Sequence, residues 1–578
     1  LFVATSVLGE GMQPSSDMFA PKLWSVLKEG YSGAKARADL IAGLTVAIVA
    51  LPLSMAIAIA SGVTPAMGLY TAIAGGFLVS VFSGSRHQIG GPAGAFIVLV
   101  AATVDKHGVD GLILATMLSG IMLFIAGWLR LGSYIKFIPY PVTVGFTAGI
   151  AVIIFASQIK DLFGVTHAGK EPGDLVAKLE SLWQVRDTVS PAAIAISFLT
   201  ITLILGIKKL RPHWPNLLIA VGVAAIGSFI LNLPVETIGT RFGGIPNTMP
   251  LPHMPALSPD KIEAVLPAAF SFALLGAIES LLSAVVADGM TGRRHRSNVE
   301  LVGQGIANVG SAIFGGFCVT GTIARTATNV RAGAVSPISG MAHALILLLF
   351  MLLFAPLASY IPLAALAGVL ATVAWNMIER PAFAALLRSS RGDAVVLLAT
   401  FLLVVFRDLT EGILVGFVLG TVLFIERMGR SVKVSPAARA ALGDGNEGRE
   451  HPVDYSDPDV VAYHINGVFF FGAAATVGAV LDRIADTAKT FILDCSAVPF
   501  LDSTAANVIE GSLRKAEARG MRFFIAGAGE EARDMLRAHH VREPRVQFHD
   551  TIDAAFKEAR ASTFVGMAAD GQSAHPPL

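Results

Sequence analysis

Apolar runs crowd residues 39–427 of this chain and then cease. Full or partial spans read near 39–60, 67–82, 92–104, 110–131, 137–159, 191–207 and 215–233, and again near 263–287, 301–317, 321–333, 336–357, 361–378, 393–407 and 410–426. A helix that crosses a bilayer needs roughly 20 apolar residues, so this pattern predicts an α-helical polytopic membrane protein of about fourteen segments. The pieces at 92–104 and 321–333 are too short to cross alone. Each follows a glycine-rich approach, SVFSGSRHQIGGPAGAF in one case and SAIFGGFCVTGTIARTA in the other. Each is also the third segment of its half, taking the halves as 39–235 and 262–427. Matching interrupted segments in two halves mark an inverted-repeat transporter and its binding site. Seven segments per half is an odd number, which forces the halves into opposite orientations.

After ERMGRSVK (426–433) the periodicity changes. A polar linker, 431–458, leads into a small α/β pattern over 459–562. VVAYHIN, GVFFFG, TFILDC and MRFFIAG read as strands, and AAATVGAVLDRIADTA, NVIEGSLRKAEARG and two later stretches read as helices. Residues 563–578 read as a disordered tail, and residues 1–38 as a cytoplasmic N-terminal segment. LFVATSVLGEGMQPSSDM has no basic stretch ahead of its short apolar run, which argues against a cleaved signal peptide.

Composition agrees with a membrane protein. Only 15% of the 578 residues are charged, against 54% hydrophobic, whereas soluble domains average about 25% charged. The net charge of +1 and the absence of a basic tract argue against nucleic acid as a partner. Cys318 and Cys495 imply no disulfide framework. No Walker A motif, metal-ligand cluster or nucleophile elbow is present, so the reading is of a non-enzyme without cofactor or metal. Arg86, Arg130/Lys136, Lys208/Lys209/Arg211, Arg293/Arg294/Arg296, Arg331 and Arg380/Arg388/Arg391 follow the even-numbered segments. The connections at 60–67 and 356–361 carry neither Lys nor Arg, which places both termini in the cytoplasm.

The chemistry concentrates in 262–340. Glu279 lies mid-way along the apolar helix AFSFALLGAIESLLSAVVAD, and Arg325 opens the short segment of the second half. A charge at membrane depth costs several kcal/mol unless it is paired or lines an aqueous site. Free N–H groups and a macrodipole of about half a charge make a helix N-terminus an anion site. Two starts, Gly94–Ala95–Phe96 and Thr322–Ile323–Ala324–Arg325, would sum that field, and segment 1 (Pro52, Leu53, Ser54, Ile57) would supply a third wall. The bland alternatives are glycines that only let helices pack closely and an arginine that snorkels to the interface. Glu279 is the candidate coupling group, with Ser283 one turn on. Glutamate is slightly more basic than aspartate in water, about 4.3 against 3.9, which favours a proton over sodium as the coupling ion. Asp288 is out of phase with Glu279 and is expected to cap or pair beside Arg293.

Four stretches together resemble the sulfate permease (SulP) family with a C-terminal STAS domain: ALPLSMAIAIASGVTPAMGLYTA, FIPYPVTVGFTAGIAVIIFASQ, NVELVGQGIANVGSAIFGGF…TGTIARTATNVRAG and ILDCSAVPFLDSTA. The resemblance implies a seven-plus-seven inverted repeat of uracil-permease type over 39–430. A core domain would form from segments 1–4 and 8–11, and a gate domain from 5–7 and 12–14. It also implies a homodimer and elevator-like motion of the core. Leu53 and Cys318 depart from what many relatives carry, glutamine and proline respectively. Asp502-Ser503-Thr504 resembles a loop phosphorylated on serine in anti-sigma-factor antagonists, which makes Ser503 a possible regulatory site; the bland reading is a helix N-cap. The STAS-like unit would serve dimer contacts or dock a cytoplasmic protein partner. The expectation is secondary active transport of a small inorganic anion, sulfate or bicarbonate, coupled to protons across a bacterial-type inner membrane. The alternatives are a C4-dicarboxylate transporter, an anion-binding sensor signalling through the STAS domain, and a channel.

Overall fold

The computed structural model describes residues 20–134, 138–166, 175–212, 214–407, 409–436, 459–484 and 489–570. The chain forms two compact units, 1–417 and 418–578.

In the first unit every apolar run becomes helix. Among the described residues nine helices are long and apolar enough to cross a membrane, from Gly33–Ala60 to Leu409–Ser431. The sequence pattern divides further because some of these helices hold two segments. The runs at 92–104 and 110–131 join as Gly94–Trp128, bent at Gly108. The polar break DKHG is the cause: Gly108 takes φ 71°, ψ −177°, a backbone setting open to glycine. The run at 67–82 is likewise composite, α-helix over Pro65–Tyr70, a π turn over Thr71–Gly75 and α-helix again over Gly76–Phe82. Its Thr71 hydroxyl accepts from Phe317 N at 2.8 Å and donates to Met67 O at 2.8 Å, so the wide turn receives backbone from the other half. The first spanning helix starts at Gly33, capped by Ser32, six residues before the apolar run.

Two bundles result. Helices Gly33–Ala60, Gly94–Trp128, Pro259–Thr291, Ser297–Ile313, Ile323–Arg331 and Ile338–Ala358 pack against one another together with the composite helix. Tyr140–Phe163, Pro191–Leu210, Asn216–Ile230, Leu363–Met377 and Arg391–Phe406 form the other bundle. Between the halves runs a two-residue antiparallel ladder: β1 (Gly90–Gly91) pairs with β2 (Thr320–Gly321), Gly90 opposite Gly321 and Gly91 opposite Thr320. Two buried carboxylates pin the bundle's loops. Asp39 accepts from Tyr31 Oη at 2.9 Å, Val335 N at 2.8 Å, Ser336 N at 3.1 Å and the Ser336 hydroxyl. Glu300 accepts from Ser83 Oγ at 2.5 Å, Gly84 N at 3.1 Å and Gln304 Nε2 at 2.9 Å. Buried charge survives when its lone pairs are filled in this way.

The second unit holds a five-stranded sheet in the order β3 (Lys433–Pro436), β4 (Val460–Asn466), β5 (Thr490–Ala497), β6 (Arg522–Ala526), β7 (Gln547–His549). β3 is antiparallel to β4, and the remaining pairs are parallel. Alternation along β5 sends Phe491, Leu493 and Cys495 into a core with Val477, Leu513 and Leu536, while Ile492 joins Phe524 and Phe556 on the opposite face. Several sequence expectations need correction here. GVFFFG is not a strand: Gly467 takes φ 114°, Phe469 bridges only Leu501, and a helix begins at Phe471. Residues 433–436, expected as linker, form an edge strand, where Pro436 is tolerated. The final helix runs Ile552–Asp570. Lys136 and residues 437–458 and 571–578 lie outside the described residues.

Candidate functional site

The ladder sets the site. Directly after β1 the chain turns through Pro92 and Ala93 into a tight turn over Gly94–Phe96 that opens the helix from Ile97; directly after β2, Thr322 precedes the helix Ile323–Arg331. Neither start has a side-chain cap, so the first-turn N–H groups that a helix cannot satisfy internally are left for the cavity. Because the two strands are antiparallel, the two starts meet from opposite directions.

Both open on a cavity of about 340 Å³. Its walls include Pro92, Ala93, Gly94 and Ala95 from one start and Thr322, Ile323, Ala324 and Arg325 from the other, with Leu53 and Ile57 from the first spanning helix and Glu279 from Pro259–Thr291. The rest is largely apolar. Phe146, Val373, Met377 and Ile413 close the opposite side, with Thr143, Thr147, Asn376 and Glu379 as its polar members. The structure therefore gathers nine of the candidates named from sequence into one lining. Phe96 is not among them: it sits behind the wall, edge-on to Phe272 at 6.0 Å between ring centroids. Ser283 is not in the lining either. Its hydroxyl donates to Thr326 Oγ1 at 3.0 Å, and Thr326 Oγ1 accepts from Ile89 N at 3.1 Å. Ser283 thus braces the two halves from behind, alongside Ser280, whose hydroxyl meets Thr320 Oγ1 at 2.6 Å and accepts from Gly321 N at 3.2 Å.

Arg325 is 1% exposed. Its Nη2 donates to Ser54 Oγ and to Pro92 O, both at 3.2 Å, while Nε and Nη1 are buried without a hydrogen-bond partner. Glu279 Oε2 is likewise buried and unpartnered. A guanidinium with two unpartnered donor groups and a carboxylic side chain with an unpartnered oxygen therefore share one cavity. What seats the guanidinium is Gly91. A Cβ there would lie 2.2 Å from Arg325 Nη1, so only glycine leaves the slot open. Sequence reasoning passed over Gly91, although the GGP run that precedes the first start was the available signal. It also passed over the polar residues of the second bundle, since nothing in a single helix says which face meets the cavity.

Asp288 pairs with His295, not with Arg293: His295 Nδ1 lies 2.6 Å from Asp288 Oδ2, and the His295 N–H donates to the same oxygen at 3.0 Å. In the second unit Asp502 is the N-cap of Ser503–Ala518, accepting from Ala505 N at 2.8 Å, while Ser503 Oγ contacts Met535 Sδ at 3.6 Å. Among the described residues no cluster of side chains is arranged to hold a metal ion.

Comparison with known proteins places this architecture. Residues 37–400 match the sulfate permease family and residues 451–555 the STAS domain. The chain is 40% identical over 513 residues to a Bacillus subtilis protein named "Putative sulfate transporter YvdB", covering 88% of this chain and 94% of that one. It is 30% identical over 516 residues to the bicarbonate transporter BicA of Picosynechococcus, covering 86% and 90%. Among solved structures, the transmembrane domain of a cyanobacterial BicA superposes with a TM-score of 0.59 at 30% identity, covering 68% of this chain and 98% of that one. Murine Slc26a9 in its inward-facing state shares the fold at a TM-score of 0.82 and 18% identity, with 97% of each chain covered. A membrane unit with two crossed half-helix starts and a C-terminal parallel-sheet unit is thus accounted for end to end: this chain belongs to the sulfate permease family of anion transporters and carries a STAS domain.

Proposed function

We propose that this protein is a secondary active transporter that moves a small inorganic anion, sulfate or bicarbonate, across the cytoplasmic membrane, with protons as the coupling ion. One observation supports this above the others: two uncapped half-helix starts meet at a cavity that also holds a guanidinium and a carboxylic side chain with unpartnered polar atoms. In this reading the backbone N–H groups of Gly94, Ala95 and Ile323–Arg325 attract the anion, and Arg325 adds a fixed positive charge. Leu53 and Ile57 limit its size, and Glu279 loads a proton on one side of the membrane and releases it on the other. The cavity lies between the two helix bundles, so sliding the ladder-bearing bundle against the other would expose the same site alternately, an elevator motion. The basic residues after even-numbered segments support cytoplasmic termini, and relatives named for sulfate and bicarbonate support those substrates. The membrane unit extends over 39–430. The STAS unit serves a homodimer or a cytoplasmic protein partner.

The test is uptake of radiolabelled sulfate and bicarbonate into proteoliposomes under imposed proton or sodium gradients. Accumulation of either anion that follows an inward proton gradient is the expected result. Uptake that tracks sodium at fixed pH would overturn the coupling assignment. Binding without turnover would replace transport by sensing, and large uncoupled currents would replace it by conduction.

A further inference from the structure

A second cavity, of about 700 Å³ and so about twice the volume of the first, lies on the membrane-facing side of the same unit. Ile125, Leu129, Phe270 and Leu274 form one wall, and Leu414 and Phe417 the other. It is a groove open to the surroundings: Leu129 is 56% and Phe270 52% exposed. Its inner end is the back of the anion cavity, because Ile138, Ile278 and Ile413 line both. At the outer end Leu129 and Leu131 flank Arg130, which stands in the left-handed region at φ 63°. Arg130 is exposed and makes no ion pair or hydrogen bond through its side chain among the described residues. It belongs to the basic set that the charge bias assigns to the cytoplasmic side.

The geometry points to a binding site for an anionic phospholipid, with one acyl chain lying in the groove as far as Ile278 and Ile413 and the phosphate held by Arg130. An apolar trough with the Arg130 guanidinium carried between its lining residues Leu129 and Leu131 complements a lipid at both ends, in a leaflet where anionic headgroups attract arginine. The trough lies between the helices that carry Glu279 and the first half-helix and the segment 413–417. A lodged chain therefore packs on the wall that the anion cavity uses, and displacing those helices past 413–417 would alter its seat. Lipid occupancy stands on the groove itself; any effect on flux rests on the transport reading, and the two are measured separately.

The full-length protein is reconstituted in nanodiscs of phosphatidylcholine containing a trace of phosphatidylglycerol with a diazirine near the acyl terminus, photolysed and mapped by mass spectrometry. Adducts should concentrate at Phe270, Leu274 and Leu414 over the more exposed positions Phe198 and Leu353. Arg130→Gln, a surface change that spares the fold, should cut labelling about fivefold, the worth of one interfacial cation. Unlabelled phosphatidylglycerol should compete better than phosphatidylcholine. Ala126→Trp, which fills the groove, should abolish the adducts. Uniform labelling of all membrane-facing residues, or labelling indifferent to both substitutions, would overturn the proposal. Crosslinks from cysteines at Leu274 and Leu414 to a second copy of the chain would overturn it too, by making the groove a subunit interface. Sulfate uptake in the same variants then reads regulation: unchanged flux with lost adducts keeps the lipid site and removes its regulatory role.

Discussion

Replacing Gly91 by alanine tests the anion site without touching any charged residue. The added methyl would sit 2.2 Å from Arg325 Nη1 and 3.3 Å from Cζ, with Ala72 Cα at 3.9 Å. The obstructing atoms are the far end of a long side chain, so the guanidinium yields and the fold does not. Restoring an ordinary contact requires a shift of about 1 Å, which breaks the bonds to Ser54 and Pro92, already at 3.2 Å. Moving a charge from about 4 Å to about 5 Å from an anion, at an effective dielectric near 20, costs about 0.8 kcal/mol per unit of anion charge. Monoanion affinity should therefore fall about fourfold and dianion affinity about sixteenfold. Isothermal titration of purified wild-type and Gly91→Ala protein with bicarbonate and sulfate reads both values. The cycle with Arg325→Ala isolates the cause, because once the guanidinium is gone the alanine should add nothing. Equal losses for the two anions, or a full further loss in the double variant, would show that Gly91 does not act through Arg325.

Three further outcomes are expected. Glu279→Gln should abolish pH-driven accumulation while anion exchange continues, measured as counterflow in proteoliposomes; retained pH-driven accumulation would remove Glu279 from coupling. Ending the chain after residue 440 should leave a membrane unit that inserts and binds anion, since among the described residues all nine helices long and apolar enough to span precede that point; failure to recover it folded would show that the two units depend on each other. In the second unit burial, and then the Asp494 carboxylate, push the Cys495 thiol up to about 12 from 9.0. The native thiol keeps its proton where the unfolded chain releases it, so this contribution is intact below pH 9 and lost as pH rises from 9 toward 12, by at most about 1.4 kcal/mol per unit. Protection of the β5 amides against hydrogen exchange should fall away more steeply with alkaline pH in wild type than in Cys495→Ala, and identical profiles would refute it.

Most of this fold was legible because membrane helices announce themselves by length and apolarity, and the interrupted third segments announce themselves by glycine. Arg325 and Glu279 stood out for the same reason, as charges where charge is costly. What stayed hidden depended on depth and facing. Phe96 and Ser283 share helix starts or turns with lining residues, yet point to the supporting layer, and one residue of rotation decides between the two. Asp39 and Glu300 sit near helix ends, where carboxylates are common and solvated; only the fold shows that each collects donors from a distant loop. Asp288 next to an arginine-rich turn suggested the nearest cation, but the turn delivers His295 to it instead. In the second unit β3 and β7 are short edge strands, below the length at which alternation can be read.

The ladder between Gly90–Gly91 and Thr320–Gly321 also governs how the molecule is made. Its strands are some 230 residues apart, so during synthesis the first half enters the membrane long before its pairing partner leaves the ribosome. Until then the N–H and C=O groups of Gly90 and Gly91 lack their mates, and in hydrocarbon each such group is costly. These groups find their mates only when residues 317–326 arrive to close the ladder and meet the turn at Thr71. A chain stalled before residue 320 would hold the first nine of its fourteen apolar segments and still lack the second half-helix start that completes the cavity.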